Sequence, residues 1–240
     1  MSAPITQWRR RTKPCSRCCK WALPTPKSSC GNAVARAGLF ITLEGGEGAG
    51  KSTAAAGLAA VLRAEGREVV LTREPGGTTG AEAIRALLLN QDIPLAPLAQ
   101  TMLHFAARMD HVAALIRPAL ARGAVVICDR FYDSTMAYQS YGQGVALADV
   151  RALIALLRLT PDVTFLLELS ETEAKKRLAV RASGTDRYEE MDEAFFTRVR
   201  DGFVAMAAAE PARFMRIDAS PAPEAVVASL RQALRDRAGY

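Results

Sequence analysis

Residues Gly45–Ser52 read GGEGAGKS and follow directly on the apolar run LFITLE. The stretch matches G-x-x-x-x-G-K-[ST] in full, through Gly45, Gly50, Lys51 and Ser52. With Gly46 and Gly48 added, four glycines let the backbone curl so that successive N–H groups point inward as an anion nest. A helix starting near Lys51 adds its N-terminal donors and its dipole to the same charge. Such a loop needs a strand before it and a helix after it, so it demands an α/β fold. It also selects a nucleoside triphosphate as ligand, with Lys51 on the β- and γ-phosphates and Ser52 on Mg²⁺. Glu47, Ala49 and Thr53 complete the candidate nucleotide-binding set.

The rest of the chain agrees with that demand. From Leu39 onward short apolar runs alternate with longer stretches of helical period. Strands are expected at Leu39–Leu43, Glu68–Thr72, Ala124–Cys128, Val163–Leu167 and Arg213–Ile217. Helices are expected at Lys51–Glu65, Gly80–Leu89, Pro97–Arg122, Leu147–Leu157, Glu171–Ala182, Asp192–Ala209 and Pro223–Arg237. Strands spaced by helices imply βαβ units and a parallel sheet covered on both faces. The expectation is one doubly wound, three-layer α/β domain over residues 37–240, with a five-stranded parallel sheet and ligands at the carboxyl ends of its strands.

Charge separates that body from what precedes it. Residues 1–36 hold eight basic residues and no acid, against a whole-chain net charge of +6, which leaves the body at −2. The basic balance therefore belongs to the leading segment and argues weakly for nucleic-acid binding. Four of the five cysteines, Cys15, Cys18, Cys19 and Cys30, lie there too. Cys15-x-x-Cys18 lacks a second pair and a nearby histidine, which argues against zinc. The segment reads as a disordered extension, with an over-long start and an organellar transit peptide as the other readings. A cysteine-poor body suggests a reducing compartment, hence the cytoplasm. No apolar run approaches the ~20 residues of a membrane-spanning helix.

The phosphate cradle alone does not name a reaction, since ATPases, GTPases and kinases share it. GTPases usually carry N-K-x-D, which is absent here. A second strand ends in Asp129, reading VVICD, a candidate to hold Mg²⁺ directly or through water. Arg73, Arg85, Arg108 and Arg130 all lie on elements leading to strand carboxyl ends. An arginine fork suits phosphate because it can bond two oxygens at once.

Three further stretches accompany EGGEGAGKST: TREPGGT at Thr72–Thr78, LHFAARMDH at Leu103–His111 and DRFYDSTMAYQ at Asp129–Gln139. Four such motifs, in this order and at this spacing, resemble thymidylate kinase, a P-loop nucleoside-monophosphate kinase family, from about Leu39 to the C-terminus. The resemblance implies transfer of phosphate from ATP to dTMP with Mg²⁺, by a homodimer. It implies that Arg85 and Arg130 grip the acceptor phosphate, that Arg108 hydrogen-bonds the base, and that Ser134, Tyr138 and Gln139 line the deoxynucleoside pocket. Many members carry a stacking Phe four residues before the base-reading arginine. Here that place is His104 and Phe105 follows it, so either ring is a candidate to stack.

Some members also place an arginine inside the P-loop, where this chain has Glu47. Charge spread over the transferring phosphoryl group still needs a cation. The stretch KKRLAVRASGTDRYEE, Lys175–Glu190, resembles the mobile lid of bacterial-type members, with Arg177, Arg181 and Arg187 as candidates and Arg181 preferred. Glu47 is then expected near the acceptor, as partner to a lid arginine. Asp129 is expected to position metal or water, or to orient Arg130. A nucleoside-monophosphate kinase for another acceptor, and a P-loop switch with no acceptor, are the alternatives.

Overall fold

A computed structural model describes residues 38–180 and 191–238. Five strands, β1 (Leu39–Glu44), β2 (Val69–Arg73), β3 (Val125–Asp129), β4 (Val163–Glu168) and β5 (Phe214–Asp218), form one parallel sheet in the order β2-β3-β1-β4-β5. Each begins within a residue of its expected place. The helices are α1 (Lys51–Ala64), α2 (Thr79–Leu89), α3 (Pro97–His111), α4 (Arg117–Ala121), α5 (Tyr132–Thr135), α6 (Leu147–Leu157), α7 (Glu171–Val180), α8 (Glu193–Ala209) and α9 (Pro223–Ala238).

Strand periodicity of two sorts the side chains between the layers. Leu39, Ile41 and Leu43 of β1, with Val125 and Ile127 of β3, face a core completed by Leu58 of α1 and Leu230 of α9. Phe40, Val126 and Cys128 point the other way, into a core shared with Phe105, Tyr132, Val150 and Phe203 from α3, α5, α6 and α8. The same alternation sends Glu44, at the end of β1, toward the second face. Register then lines up Leu43, Asp129 and Arg73 across three adjacent strand ends. That edge carries the site.

Two helical segments depart from expectation. The span Pro97–Arg122 is broken by a π-helical stretch, Val112–Ile116, between α3 and α4. Pro118 follows within the first turn of α4, where it can offer no N–H to the turn before it, and a wider turn upstream absorbs the mismatch. The stretch after β3 was expected to line a pocket, with no helix assigned to it. It is α5 running into a π-helical stretch, Met136–Gly142, buried on nearly every side.

Candidate active site

The loop between β1 and α1 is shaped by glycine. Gly45 has φ 138°, and a Cβ there would lie 2.4 Å from the Leu167 carbonyl oxygen of β4. Gly50, in left-handed conformation, precedes α1, whose first turn has neither a side-chain cap nor an acid. The N-terminal donors of α1 are thus left for an anion. Lys51 is 6% exposed and its ammonium donates to Gly45 O at 3.1 Å and Gly46 O at 2.7 Å. Burial, then the neighbouring Arg130, pushes Lys51 down to about 8. Ser52 Oγ donates to Asp129 Oδ2 at 2.5 Å, while Asp129 Oδ1 is buried without a partner among the described residues. A hydroxyl and a carboxylate with an unfilled oxygen are a hard-oxygen donor pair suited to Mg²⁺.

A cavity of about 640 Å³ runs from Lys51 and Ser52 to Arg85, His104, Arg108 and Gln139. Arg130 stands at its middle. Its φ is 67°, a left-handed conformation that a non-glycine residue adopts at a cost of order 1 kcal/mol or more. That turn swings the guanidinium back toward the phosphate loop. Its Nη1 donates to Gly45 O at 3.2 Å and Ser134 Oγ at 3.0 Å, and its Nη2 bonds Glu47 Oε1. Tyr138 closes the group, its hydroxyl 3.1 Å from the same Glu47 oxygen and its ring 5.2 Å from the Arg130 guanidinium carbon.

The far end of the cavity is held by arginine. Arg73 and Arg85 both donate to the Pro75 carbonyl, at 3.0 and 2.9 Å, and curl the loop after β2 around themselves. Arg108, 3% exposed, donates through Nε to Glu74 Oε2 at 2.5 Å and through Nη2 to Phe131 O and Thr135 Oγ1 at 3.1 Å. Among the described residues its Nη1 is buried and unpartnered, as is Nε2 of His104 one turn earlier. Buried polar atoms seldom stay unpaired in a finished structure. Burial, then Arg108, Arg85 and Arg130, push the His104 imidazole down to about 3 and so hold it neutral. Another hollow, of about 360 Å³, is bordered by Gly48–Gly50, Arg177 and Ser220–Pro223.

The thymidylate kinase family model matches residues 43–230. The chain belongs to that family. A thymidylate kinase of Gluconobacter oxydans (strain 621H) is 54% identical over 207 residues, covering 85% of this chain and 97% of the relative. One from Chromohalobacter salexigens is 51% identical over 204 residues, covering 83% and 96%. The crystal structure of thymidylate kinase from Ehrlichia chaffeensis superposes with a TM-score of 0.69 at 34% identity, covering 82% of this chain and 99% of that one.

Against the thymidylate kinase pattern, the expected residues fall into place unevenly. Lys51, Ser52, Thr53, Arg73, Arg85, His104, Arg108, Asp129, Arg130, Ser134, Tyr138 and Gln139 all border the main cavity, with Glu47, Gly48 and Gly50 of the loop. Gly45 and Gly46 border a separate hollow behind the loop, and the Ala49 methyl faces the α1–α9 core. Phe105 corrects an expectation: it is 1% exposed, packed in the core, and does not reach the cavity. Consecutive helical residues point about 100° apart, so only one of the pair can face the ligand. His104 does.

Glu47 forms its described ion pair with Arg130 from the strand end, and the expected pairing with Arg181 or Arg187 falls outside the described residues. Asp129 hydrogen-bonds Ser52, and the bonds orienting Arg130 come from Glu47, Gly45, Ser134 and Tyr138. Arg181 and Arg187 lie outside the described residues. Arg177 is described, and donates to Ser220 O at 3.2 Å.

Three buried groups escaped the sequence reading. Glu44 accepts from Phe131 N at 2.7 Å and from Ser134 Oγ at 2.5 Å, and burial, then Asp133, pushes it up to about 8. Glu74 and His111 are hydrogen-bonded to each other at 2.9 Å beside Arg108. Their signal was present in TREP and in the last residue of LHFAARMDH, but polar residues in a helix read more readily as solvated.

Proposed function

We propose that this chain transfers the γ-phosphoryl group of ATP to dTMP, giving ADP and dTDP in the route to dTTP. One observation carries the reading: a single cavity joins a P-loop lysine to an arginine-lined end whose unpaired buried donor, Arg108 Nη1, awaits a base carbonyl. The loop amides and Lys51 hold the donor phosphates, and the hollow beside Arg177 and Ser220 takes the nucleotide's other end. Arg130 and Arg85 hold the acceptor phosphate. Its oxygen attacks the γ-phosphorus in line, and the bond to the bridging oxygen of ADP breaks. The protein contributes position and charge, with little covalent chemistry.

Ser52 and Asp129 would hold Mg²⁺, which supplies charge neutralisation at the β- and γ-oxygens. Tyr138, beside the sugar position, disfavours a ribose 2′-hydroxyl. Arg181, from the segment joining α7 to α8, is the preferred cation for the transferring group. Glu47 holds Arg130 until the acceptor arrives and then faces the acceptor's water shell.

The active assembly is a homodimer through α3 and α6. Leu98, Met102 and Met109 on α3 are 46%, 58% and 37% exposed, and Leu156 on α6 is 63% exposed. Burying such side chains against a second copy is favourable. Residues 37–240 form the kinase domain and residues 1–36 a dispensable extension. A reducing cytoplasm suits its buried free thiol, Cys128, and among the described residues no helix is long and apolar enough to cross a membrane.

A coupled ADP-release assay with dTMP, dUMP, dCMP, dGMP and AMP tests the reaction. A strong preference for any acceptor other than dTMP overturns it. The same assay on a chain lacking residues 1–36 tests the domain division, and sedimentation tests the dimer.

A further inference from the structure

Glu74, Arg108 and His111 are buried together, at 4%, 3% and 0% exposure. Charges so placed are costly unless their partners are complete. Glu74 meets that condition by dividing its carboxylate. Oε2 accepts from Arg108 Nε at 2.5 Å, and Oε1 lies 2.9 Å from His111 Nδ1. His111 Nε2 lies 2.8 Å from Thr72 Oγ1. The arrangement fits an Nδ1–H donating to Glu74 and an Nε2 accepting from the Thr72 hydroxyl.

A carboxylate facing an arginine commonly grips two nitrogens at once. Here His111 occupies the second oxygen, so Glu74 takes only Nε. Phe131 O and Thr135 Oγ1 take Nη2. What remains is Nη1, buried and without a partner among the described residues, in a side chain that borders the cavity. The loop is fastened to α3 once more where the Thr78 hydroxyl donates to Asp110. Gly77 makes the fit possible, since a Cβ there would come within 2.5 Å of His111 Nε2. With Cys128, Glu74 and His111 also place possible metal-ligand atoms within 4.8 Å of one another. The described bonds already engage these atoms, however, and burial pushes the Cys128 thiol up while it donates to Arg130 O at 3.1 Å.

We propose that Glu74, with its second oxygen held by His111, is a positioning residue that sets Arg108 so that Nη1 alone presents its N–H donors to the carbonyl edge of the acceptor base. The proposal rests on the dTMP reading of the cavity. Glu74 does not touch the substrate; it decides which nitrogen does. Thymine offers a carbonyl at the position where cytosine carries an amino group, so a fixed N–H donor favours the first and repels the second.

The test is steady-state kinetics on the full chain with dTMP and dCMP as acceptors, for the wild type, Glu74→Gln and His111→Gln. Glutamine at 74 puts an amide N–H against either Arg108 Nε–H or His111 Nδ1–H, and the guanidinium turns. The KM for dTMP is expected to rise on the order of tenfold or more, the loss of one charge-assisted hydrogen bond. The kcat and the KM for ATP are expected to stay within about threefold, and the preference for dTMP over dCMP to narrow. His111→Gln, which releases Oε1, is expected to shift the same two quantities less.

A folded Glu74→Gln with unchanged dTMP KM and unchanged preference overturns the proposal. So does a fall confined to kcat, or a uniform loss of active protein, which a packing role alone would produce. If circular dichroism shows Glu74→Gln unfolded, His111→Gln decides by the same criteria. A wild type that does not phosphorylate dTMP refutes the functional reading instead.

Discussion

Lys51 offers the sharpest quantitative test of the site, because its charge in the empty protein is poised. Its ammonium is 6% exposed and bonded only to two loop carbonyls, Gly45 O and Gly46 O, among the described partners. Burial first and Arg130 second push it down to about 8, with Glu47, Asp129 and Glu44 acting in the opposite sense. Near pH 8 about half of the empty molecules therefore carry a neutral lysine. A triphosphate at Nζ favours the charged form, so binding must draw a proton from solution. The uptake vanishes by about pH 6.5, reaches roughly half a proton per ATP near pH 8, and approaches one near pH 9.5. ATP affinity weakens above pH 8 by up to about tenfold per pH unit, or ~1.4 kcal/mol. The linkage to folding has the opposite slope: between about 8 and 10.5 the unfolded chain binds more protons here, so this group's contribution to stability grows with pH. Isothermal titration with ATP, in two buffers of different ionisation enthalpy at several pH values, reads the uptake directly. Lys51→Arg is the control, since arginine stays charged throughout. Equal proton uptake by wild type and Lys51→Arg near pH 8–9, with a flat wild-type affinity, would refute the reasoning.

Three further outcomes are expected. Arg213→Ala strips Asp133, 1% exposed, of the fork that bonds it at 2.6 and 2.9 Å. Leaving that carboxylate buried and unpaired costs about 3–5 kcal/mol, a fall of roughly 6–20 °C in Tm. A melt within about 2 °C of wild type counts against it. His104, held neutral because burial and three arginines push it down to about 3, adds no inflection of its own to the pH profile of the dTMP KM, so wild type and His104→Phe share one profile set by the substrate phosphate. An inflection present in wild type and missing from His104→Phe argues otherwise. His104→Ala should raise that KM roughly tenfold through lost stacking, whereas His104→Phe should not. Arg181→Ala should lower kcat by roughly a hundredfold or more with little change in ATP affinity, as for other transition-state arginines. Near-normal turnover removes Arg181 from that role.

Why was so much of the fold legible? The strands are short, apolar and doubly covered, and such runs stand out when separated by glycine and helical period. The P-loop was legible because its chemistry needs glycine at fixed positions and a lysine beside a helix N-terminus that suits phosphate. The helix from Tyr132 into the π-helical stretch was not legible. Its residues are aromatic and polar on every side, and nothing caps its start. The choice between His104 and Phe105 needed the structure too, because it depends on how α3 is rotated against β3 and not on residue type. Glu44, Glu74 and His111 were missed for one reason. A single sequence cannot distinguish a charge meant for water from one meant for a buried partner. Burial is what turns Glu44 from a solvated strand-end acid into a group pushed up to about 8.

Most of the polar groups assigned to the two nucleotides are already bonded to other protein groups. Lys51 bonds loop carbonyls, Ser52 bonds Asp129, and Arg130 bonds Glu47. Each of these contacts must be exchanged when ligand arrives, so nucleotide affinity is a difference between two nearly complete sets of hydrogen bonds. That difference is expected to be modest, because the gain of a typical bond is ~1 kcal/mol net of what it replaces. It also disposes the site toward catalysis, since groups that are already ordered lose little further freedom when charge develops on the moving phosphoryl group. Arg108 stands apart from this exchange. Its Nη1 bonds no protein group among the described residues, so the base of the acceptor can bond it without displacing one. Discrimination among acceptors should therefore be stronger than overall affinity suggests. A base that cannot accept from Nη1 leaves a buried donor unsatisfied in the complex, at a cost of about 1–3 kcal/mol that no rearrangement of the phosphate end can recover.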